Sequence, residues 1–311
     1  MTELSTKTTA VSSDADGSVW IVGCDDSDNS RSALDWAARV GAGRASLVRA
    51  VVAVEHAPSE VPMAVGGDDR STGDAEVEYG VTAAVTATAG ELSAATGTPI
   101  EVSTYLGGAA RAILEAVDDA DADLVVVGCR GRGGFRRLLL GSVSHQVATH
   151  SDRPCVIVPA TATARGIERV VVGVDGSDTS VNALVWAHHF AGPDAEVCAA
   201  GFWEPAATGY EGLDTSTWQA LRAASERRFE AGVLQAEHEI GEAGRFVRAF
   251  DVGPAAQGLV DLAADRDLLV VGERAHRGLL GMMLGSVANW VIHHLSCPGV
   301  VIPAPPESIE E

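Results

Sequence analysis

Apolar residues along this chain fall into short unbroken runs, and between the runs lie stretches whose apolar positions recur every three or four residues. An unbroken run is the mark of a parallel strand covered on both faces, and a three-to-four spacing marks one apolar stripe of a helix. The runs predict strands at 19–23, 47–54, 124–127 and 156–158, then again from 171 and at 197–203, 268–271 and 300–302, and the mixed segments 100–105 and 246–250, each running into a glycine turn, are read as strands too. Helical stripes lie between them: Ala33, Trp36, Ala37 and Val40 in the first half, and Ala183, Trp186, Ala187 and Phe190 in the second. Further helices are expected at 81–96, at 217–241, after the glycine turns at Gly107-Gly108 and Gly253-Pro254, and from near Val143. Both tryptophans sit on an apolar stripe, so they are expected in the core. Residues 57–80, with Pro58, Pro62, Gly66 and Gly67, read as a long loop, with a shorter counterpart at 205–216.

The alternation occurs twice because the sequence does. Residues 21–37 and 171–187 share ten of seventeen positions. A second phrase, from Gly128 to Ser142, returns from Gly272 to Ser286. A period near 150 residues gives each copy enough chain for its own core, so it is a duplicated domain and not a solenoid unit. The expected organisation is a polar tail at 1–15, a domain at 16–159, a linker at 160–166, a second domain at 167–305 and a tail at 306–311. Strand and helix alternate in each copy, which makes the fold class α/β: two tandem doubly wound domains, each with a five-stranded parallel sheet flanked by helices. Pro159 and Pro303 end the last strands, as expected at a sheet edge.

Composition narrows the chemistry. A formal charge of −21 leaves no basic face for nucleic acid or an anionic membrane. No apolar run approaches the length of a membrane span and no signal peptide is evident, so a cytoplasmic protein is expected. The five cysteines lack metal or disulfide spacing and read as small core residues. Lys7 is the only lysine, which excludes a Walker A phosphate site. Any phosphate must be held by backbone N–H groups, helix N-termini, arginine or a metal ion.

The repeated phrases stand where such a site belongs, beyond the carboxyl ends of the strands. Gly128 follows a buried run, Gly131 comes three residues later, and Gly141-Ser142 opens a helix. Glycines there let backbone N–H groups approach phosphate oxygens, and Ser142 can cap the helix or bond a phosphate or ribose oxygen. Arg130, Arg132, Arg136 and Arg137 crowd the loop with positive charge, and Asp25 ends the first strand, where it can meet a base or help hold Mg2+. The plainer reading is a glycine turn joining strand to helix beside solvated arginines. In the second copy Asp175, Gly272, Gly285, Ser286 and Val287 repeat the frame, but Ala275 replaces the second glycine and Glu273 adds a negative charge. The adjacent histidines at 188–189 and 293–294 do not share a helix face and read as ordinary core or surface residues. The aspartates at 118, 119, 121 and 123 lack the calcium-loop pattern and read as a solvated turn.

The frame Gly128, Gly131, Gly141, Ser142, joined to VGCDDS or VGVDGS on the first strand, resembles the ATP-binding loop of the universal stress protein family in a tandem arrangement, and the likeness covers about 290 residues. The resemblance implies a Rossmann-like fold of the adenine nucleotide alpha hydrolase kind, with strand order 3-2-1-4-5 and ATP in the crevice. It implies adenine contact at Asp25 and at main chain near Val54, and ribose and phosphate contact at Gly128, Gly131, Gly141, Ser142 and Val143. It also implies pairing of the two halves as a pseudo-dimer through the edge strands containing Val156 and Val300, and it leaves a homodimer of whole chains open. Mg2+ is the expected companion, because a polyphosphate held without lysine benefits from a cation. The function implied is a nucleotide-dependent regulatory role in stress response, through a protein partner the sequence does not identify, with at most slow ATP hydrolysis. Two alternatives stand beside it. One is an ATP-cleaving or adenylating enzyme of related fold, whose usual Ser-Gly-Gly-x-Asp-Ser loop is here Asp25-Asp26-Ser27 and Asp175-Gly176-Ser177. The other is a scaffold acting through its dimer surfaces without nucleotide.

Overall fold

The apolar runs all become strands. The computed structural model describes residues 17–54, 69–131, 140–162, 166–204, 214–242, 244–273 and 284–304, and of 69–76 the backbone only. The chain divides into two units, one of residues 14–166 and the other carrying residues 167–311. In the first, β1 (Val19–Gly23), β2 (Leu47–Val54), β3 (Ile100–Leu106), β4 (Leu124–Gly128) and β5 (Cys155–Val158) form a parallel sheet in the order β3-β2-β1-β4-β5. In the second, β6 (Arg169–Gly173), β7 (Glu196–Trp203), β8 (Val247–Val252), β9 (Leu268–Gly272) and β10 (Gly299–Ile302) repeat it as β8-β7-β6-β9-β10. The 3-2-1-4-5 order is therefore present in each unit.

Helices α1 (Asp28–Gly41) and α2 (Asp69–Thr96) pack side by side on one face of the first sheet, and α3 (Ala109–Asp119) and α4 (Ser142–His150) on the other. The second unit repeats this with α5 (Asp178–Ala191) beside α6 (Thr215–Ile240), and α7 (Ala255–Leu262) beside α8 (Ser286–His293). All five residues of β4 are buried, as a central strand between two helical layers requires. The α1 stripe is buried as expected, with Trp36 only 2% exposed and stacked on Trp20 at 6.1 Å between ring centroids. Trp186 is likewise in the core, stacked on Phe190 at 4.5 Å.

One expectation needs correction. Residues 69–80 of the long loop foreseen at 57–80 are helical instead, for α2 begins at Asp69, twelve residues before the helix start foreseen at Val81. Residues 69–80 are mostly polar or small, with Val77 and Tyr79 their only large apolar side chains, so they carry no helical apolar period. They extend a helix nucleated by its packed C-terminal half, where Val85 and Ala89 are buried, since each added residue then needs only one more hydrogen bond. Residues 55–68 and 205–213 lie outside those described.

The cysteines are all buried and unpaired, in agreement with their reading as core residues. The aspartates near 120 serve the turn before β4: Asp123 accepts the Val19 N–H at 3.0 Å and Asp121 pairs with Arg153 at 2.7 Å. Among the described residues no helix is long and apolar enough to cross a membrane.

Candidate functional site

In an open sheet of this order the chain leaves β1 toward β2 but reaches β4 on the opposite side, so a crevice opens between the carboxyl ends of β1 and β4. Those ends are neighbours here, Gly23 standing opposite Val127. A cleft of about 200 Å³ occupies the place. Gly128, Arg130, Gly131, Val143 and Ser144 line one end of it. Val51, Val52, Ala53, Val77, Val81 and Ile113 form an apolar wall elsewhere, with Glu78 beside them and Asp25 at the end of β1.

The glycine frame supports the polar end in three different ways. Gly141 is the N-cap of α4, extended at φ −81° and ψ 157°, and its N–H donates to the Cys129 carbonyl at 2.8 Å. With no side chain to cap the helix, its first N–H groups are left for an anion. Helices α1 and α5 differ, for Ser27 and Ser177 accept the Ser30 and Ser180 N–H groups at 3.2 and 3.3 Å. Ser142, read as a helix cap or as a phosphate or ribose contact, is not the cap but the first helical residue, and it is exposed. Gly128 is glycine for packing, since a Cβ there would lie 2.6 Å from the Asn29 carbonyl carbon and oxygen at the start of α1. Gly131 is glycine because a Cβ would lie 2.5 Å from Asp25 Oδ2.

Asp25 thus touches both loops of the cleft. Its Oδ1 accepts the Ser27 N–H at 3.1 Å, and its own N–H donates to Ser30 Oγ at 3.3 Å. The next residue, Asp26, holds a left-handed φ of 61° and pairs with Arg31 at 2.8 Å. Burial, reinforced by the charges of Asp25 and Asp26, pushes the Cys24 thiol far above its ordinary range, so it stays neutral. Arg130 lines the cleft with its Nε buried and without a hydrogen-bond partner among the described residues. A buried guanidinium N–H without an acceptor is costly, and an anion in the cleft would supply one.

Gly141 and Ser142 are not among the residues that line the cleft, and two further features differ from the sequence reading. Val54 is buried in β2 outside the cleft lining, and its carbonyl accepts the Gly107 N–H at 2.8 Å, so Val51, Val52 and Ala53 present this strand to the cleft. Ser144, which the sequence reading passed over, is buried and donates from Oγ to the Gly128 carbonyl at 2.6 Å, locking α4 to the end of β4. Its place three residues after Gly141 was a usable signal, but the second copy has Ala288 there and repetition could not reveal it. Arg132, Arg136 and Arg137 lie outside the described residues.

The second unit has a cleft of about 200 Å³ in the same place, lined by Asp175, Gly272, Gly285, Ser286 and Val287. Gly285 leaves α8 without a side-chain cap, as Gly141 leaves α4. Glu273 also lines this cleft, its carboxylate accepting the Ala304 N–H at 3.3 Å. Asp175 is turned onto its own loop, Oδ1 accepting from Ser177 N–H at 3.0 Å and Ser177 Oγ at 2.6 Å. Ala275, with Arg274, His276 and Arg277, lies outside the described residues.

Known proteins resemble this chain over both units. A universal stress protein of Mycolicibacterium smegmatis is 28% identical over 296 residues, covering 91% of this chain and 96% of that protein. A universal stress protein of Mycobacterium bovis is 29% identical over 196 residues, a match that spans 58% of this chain and only 62% of that relative's length. Among solved structures, a universal stress protein from Archaeoglobus fulgidus shares the fold with a TM-score of 0.64 at 20% identity, covering 92% of this chain and 98% of that one. The sequence model of the universal stress protein family matches twice, at residues 21–159 and 166–303, and the chain belongs to that family as a tandem member.

Proposed function

We propose that the first cleft binds an adenine nucleotide, ATP with Mg2+, and that occupancy regulates the protein in a stress response with little or no turnover. The Arg130 Nε, buried and without a hydrogen-bond partner among the described residues, beside the uncapped start of α4 carries this reading. A phosphate chain at that end would accept from the arginine and from the first N–H groups of the helix. The apolar wall suits the faces of a base, and Glu78 offers an acceptor for an exocyclic amine. Asp25 fits a holding role, for its oxygens already face Ser27 and Gly131, and a bound cation would supply charge neutralisation between it and the phosphates. The second cleft, with Glu273 at its polar end, favours an anion less.

A titration series with ATP, ADP, AMP and adenosine tests the assignment. Affinity should rise with phosphate number, and Arg130→Ala should weaken ATP by roughly tenfold while leaving adenosine nearly unchanged, as expected for one lost charge-assisted hydrogen bond. Equal affinities across the series would remove the phosphate end from the proposal.

A further inference from the structure

The two clefts are built on superposable frames, so their differences can be compared position by position. Gly23 pairs with Val51 as Gly173 pairs with Ala200, which places Ala53 of β2 and Phe202 of β7 at the same point. Helices α3 and α7 begin at Ala109 and Ala255, which places Ala112 opposite Gly258. The packing agrees, since a Cβ on Gly23 would run into Ile113 and one on Gly173 into Leu259, the residues that follow Ala112 and Gly258.

At this matched point the first unit has two alanines and the second a phenylalanine and a glycine. The Phe202 ring occupies the space of the missing Gly258 side chain, for a Cβ on Gly258 would overlap the ring. The first cleft runs past Ala53 to Val77, Glu78 and Val81 of α2. The second is lined by Phe202, and no described residue of α6 lines it. A phenyl ring therefore stands in the second unit where the first has only the side chains of Ala53 and Ala112.

We propose that Phe202, seated on Gly258, closes the base end of the second cleft, so that the chain holds one adenine nucleotide and not two. This rests on the nucleotide reading of the first cleft. Phe202 is thereby a specificity-determining residue that excludes a nucleotide by occupying the base's place, independently of the charge that Glu273 brings to the phosphate end.

The test separates the two ends. In a chain carrying Glu273→Gln and Ala275→Gly, which removes the charge lining the second cleft and restores in sequence the glycine of the first copy's frame, equilibrium dialysis should still count one ATP per chain. Adding Phe202→Ala with Gly258→Ala, which rebuilds the Ala53 and Ala112 pair, should raise the count to two. The reciprocal pair Ala53→Phe and Ala112→Gly in the parent chain should lower it from one to none, with the fold checked by circular dichroism, and this arm stands even if the fourfold variant fails to fold. The proposal is overturned if the polar-end variant already binds two, if the rebuilt pair leaves the count at one, or if the reciprocal pair leaves binding unchanged. A parent chain that binds no ATP would reject the nucleotide reading itself, and this inference with it.

Discussion

The carboxylate of Asp25 and the backbone of Gly131 are in such close contact that a Cβ on residue 131 would lie 2.5 Å from Oδ2. This contact joins the loop after β1 to the loop after β4 across the mouth of the cleft. Gly131→Ala should displace the carboxylate or the loop and weaken ATP binding by about tenfold, or ~1.4 kcal/mol. In an Asp25→Ala background the same change should cost much less, because residues in contact couple. Additive losses in this double-mutant cycle would show that the glycine serves another purpose.

Gly128 and Gly272 occupy matching positions but meet different obstacles. A methyl at 128 faces the main chain of Asn29, whereas one at 272 faces Thr179 Cγ2 at 2.7 Å, a side chain that can turn. Overpacking against backbone should cost about 2–3 kcal/mol, so Gly128→Ala should lower the denaturant midpoint clearly more than Gly272→Ala. Equal shifts would mean that α1 yields as easily as a rotamer does.

These contacts mark how far the sequence alone could be read. The central strands were legible because each is an apolar run between two helical layers, whereas β3 and β8 are mixed and partly exposed and were read from their place in the alternation. The candidate site's place was read from glycines and Asp25 at the ends of the apolar runs. The reason for each glycine was not legible, since Asn29 and Gly128 are neighbours only once the sheet has brought β4 beside β1. Phe202 read as one more apolar residue of a strand, and its place in the second cleft depends on Gly258 of another element. The first turns of α2 carried no periodicity to find. Ser144 was hidden because its duplicate is Ala288.

His188 gives the second unit a pH dependence of its own. Its Nδ1 accepts from Arg245 Nε at 3.2 Å, which requires the neutral ring. Burial holds its pKa below the usual histidine value, with His189 and Arg245 acting the same way and Glu242, 3.9 Å from Nε2, opposing them. The unfolded chain therefore takes up the proton first, so this contribution is complete above about pH 6.5 and is lost as the pH falls through and below that value. Thermal unfolding at pH 7.5 and 5.5 should show a larger loss for the parent than for His188→Gln. Identical losses would assign the acid sensitivity elsewhere.

The thiols should be inert in the folded protein. Burial pushes Cys155 and Cys297 up to about 12, and Cys24 and Cys198 are also raised. A thiol reagent at pH 8 should label none of these four cysteines in native protein and all of them in denaturant. Rapid labelling of any one under native conditions would show local opening around it.

The most direct test of the nucleotide assignment is an ATP titration, with Mg2+ present, of the parent chain and of Gly141→Val. The backbone at 141 is extended, a conformation valine adopts readily, and a Cβ there meets its nearest neighbour, Arg130 Cα, at an ordinary 3.4 Å. The variant should therefore fold while its added methyls fill the space before the first N–H groups of α4. Saturable binding of one ATP by the parent and none by the folded variant is the expected result; no binding by the parent, or unchanged affinity in the variant, would contradict it.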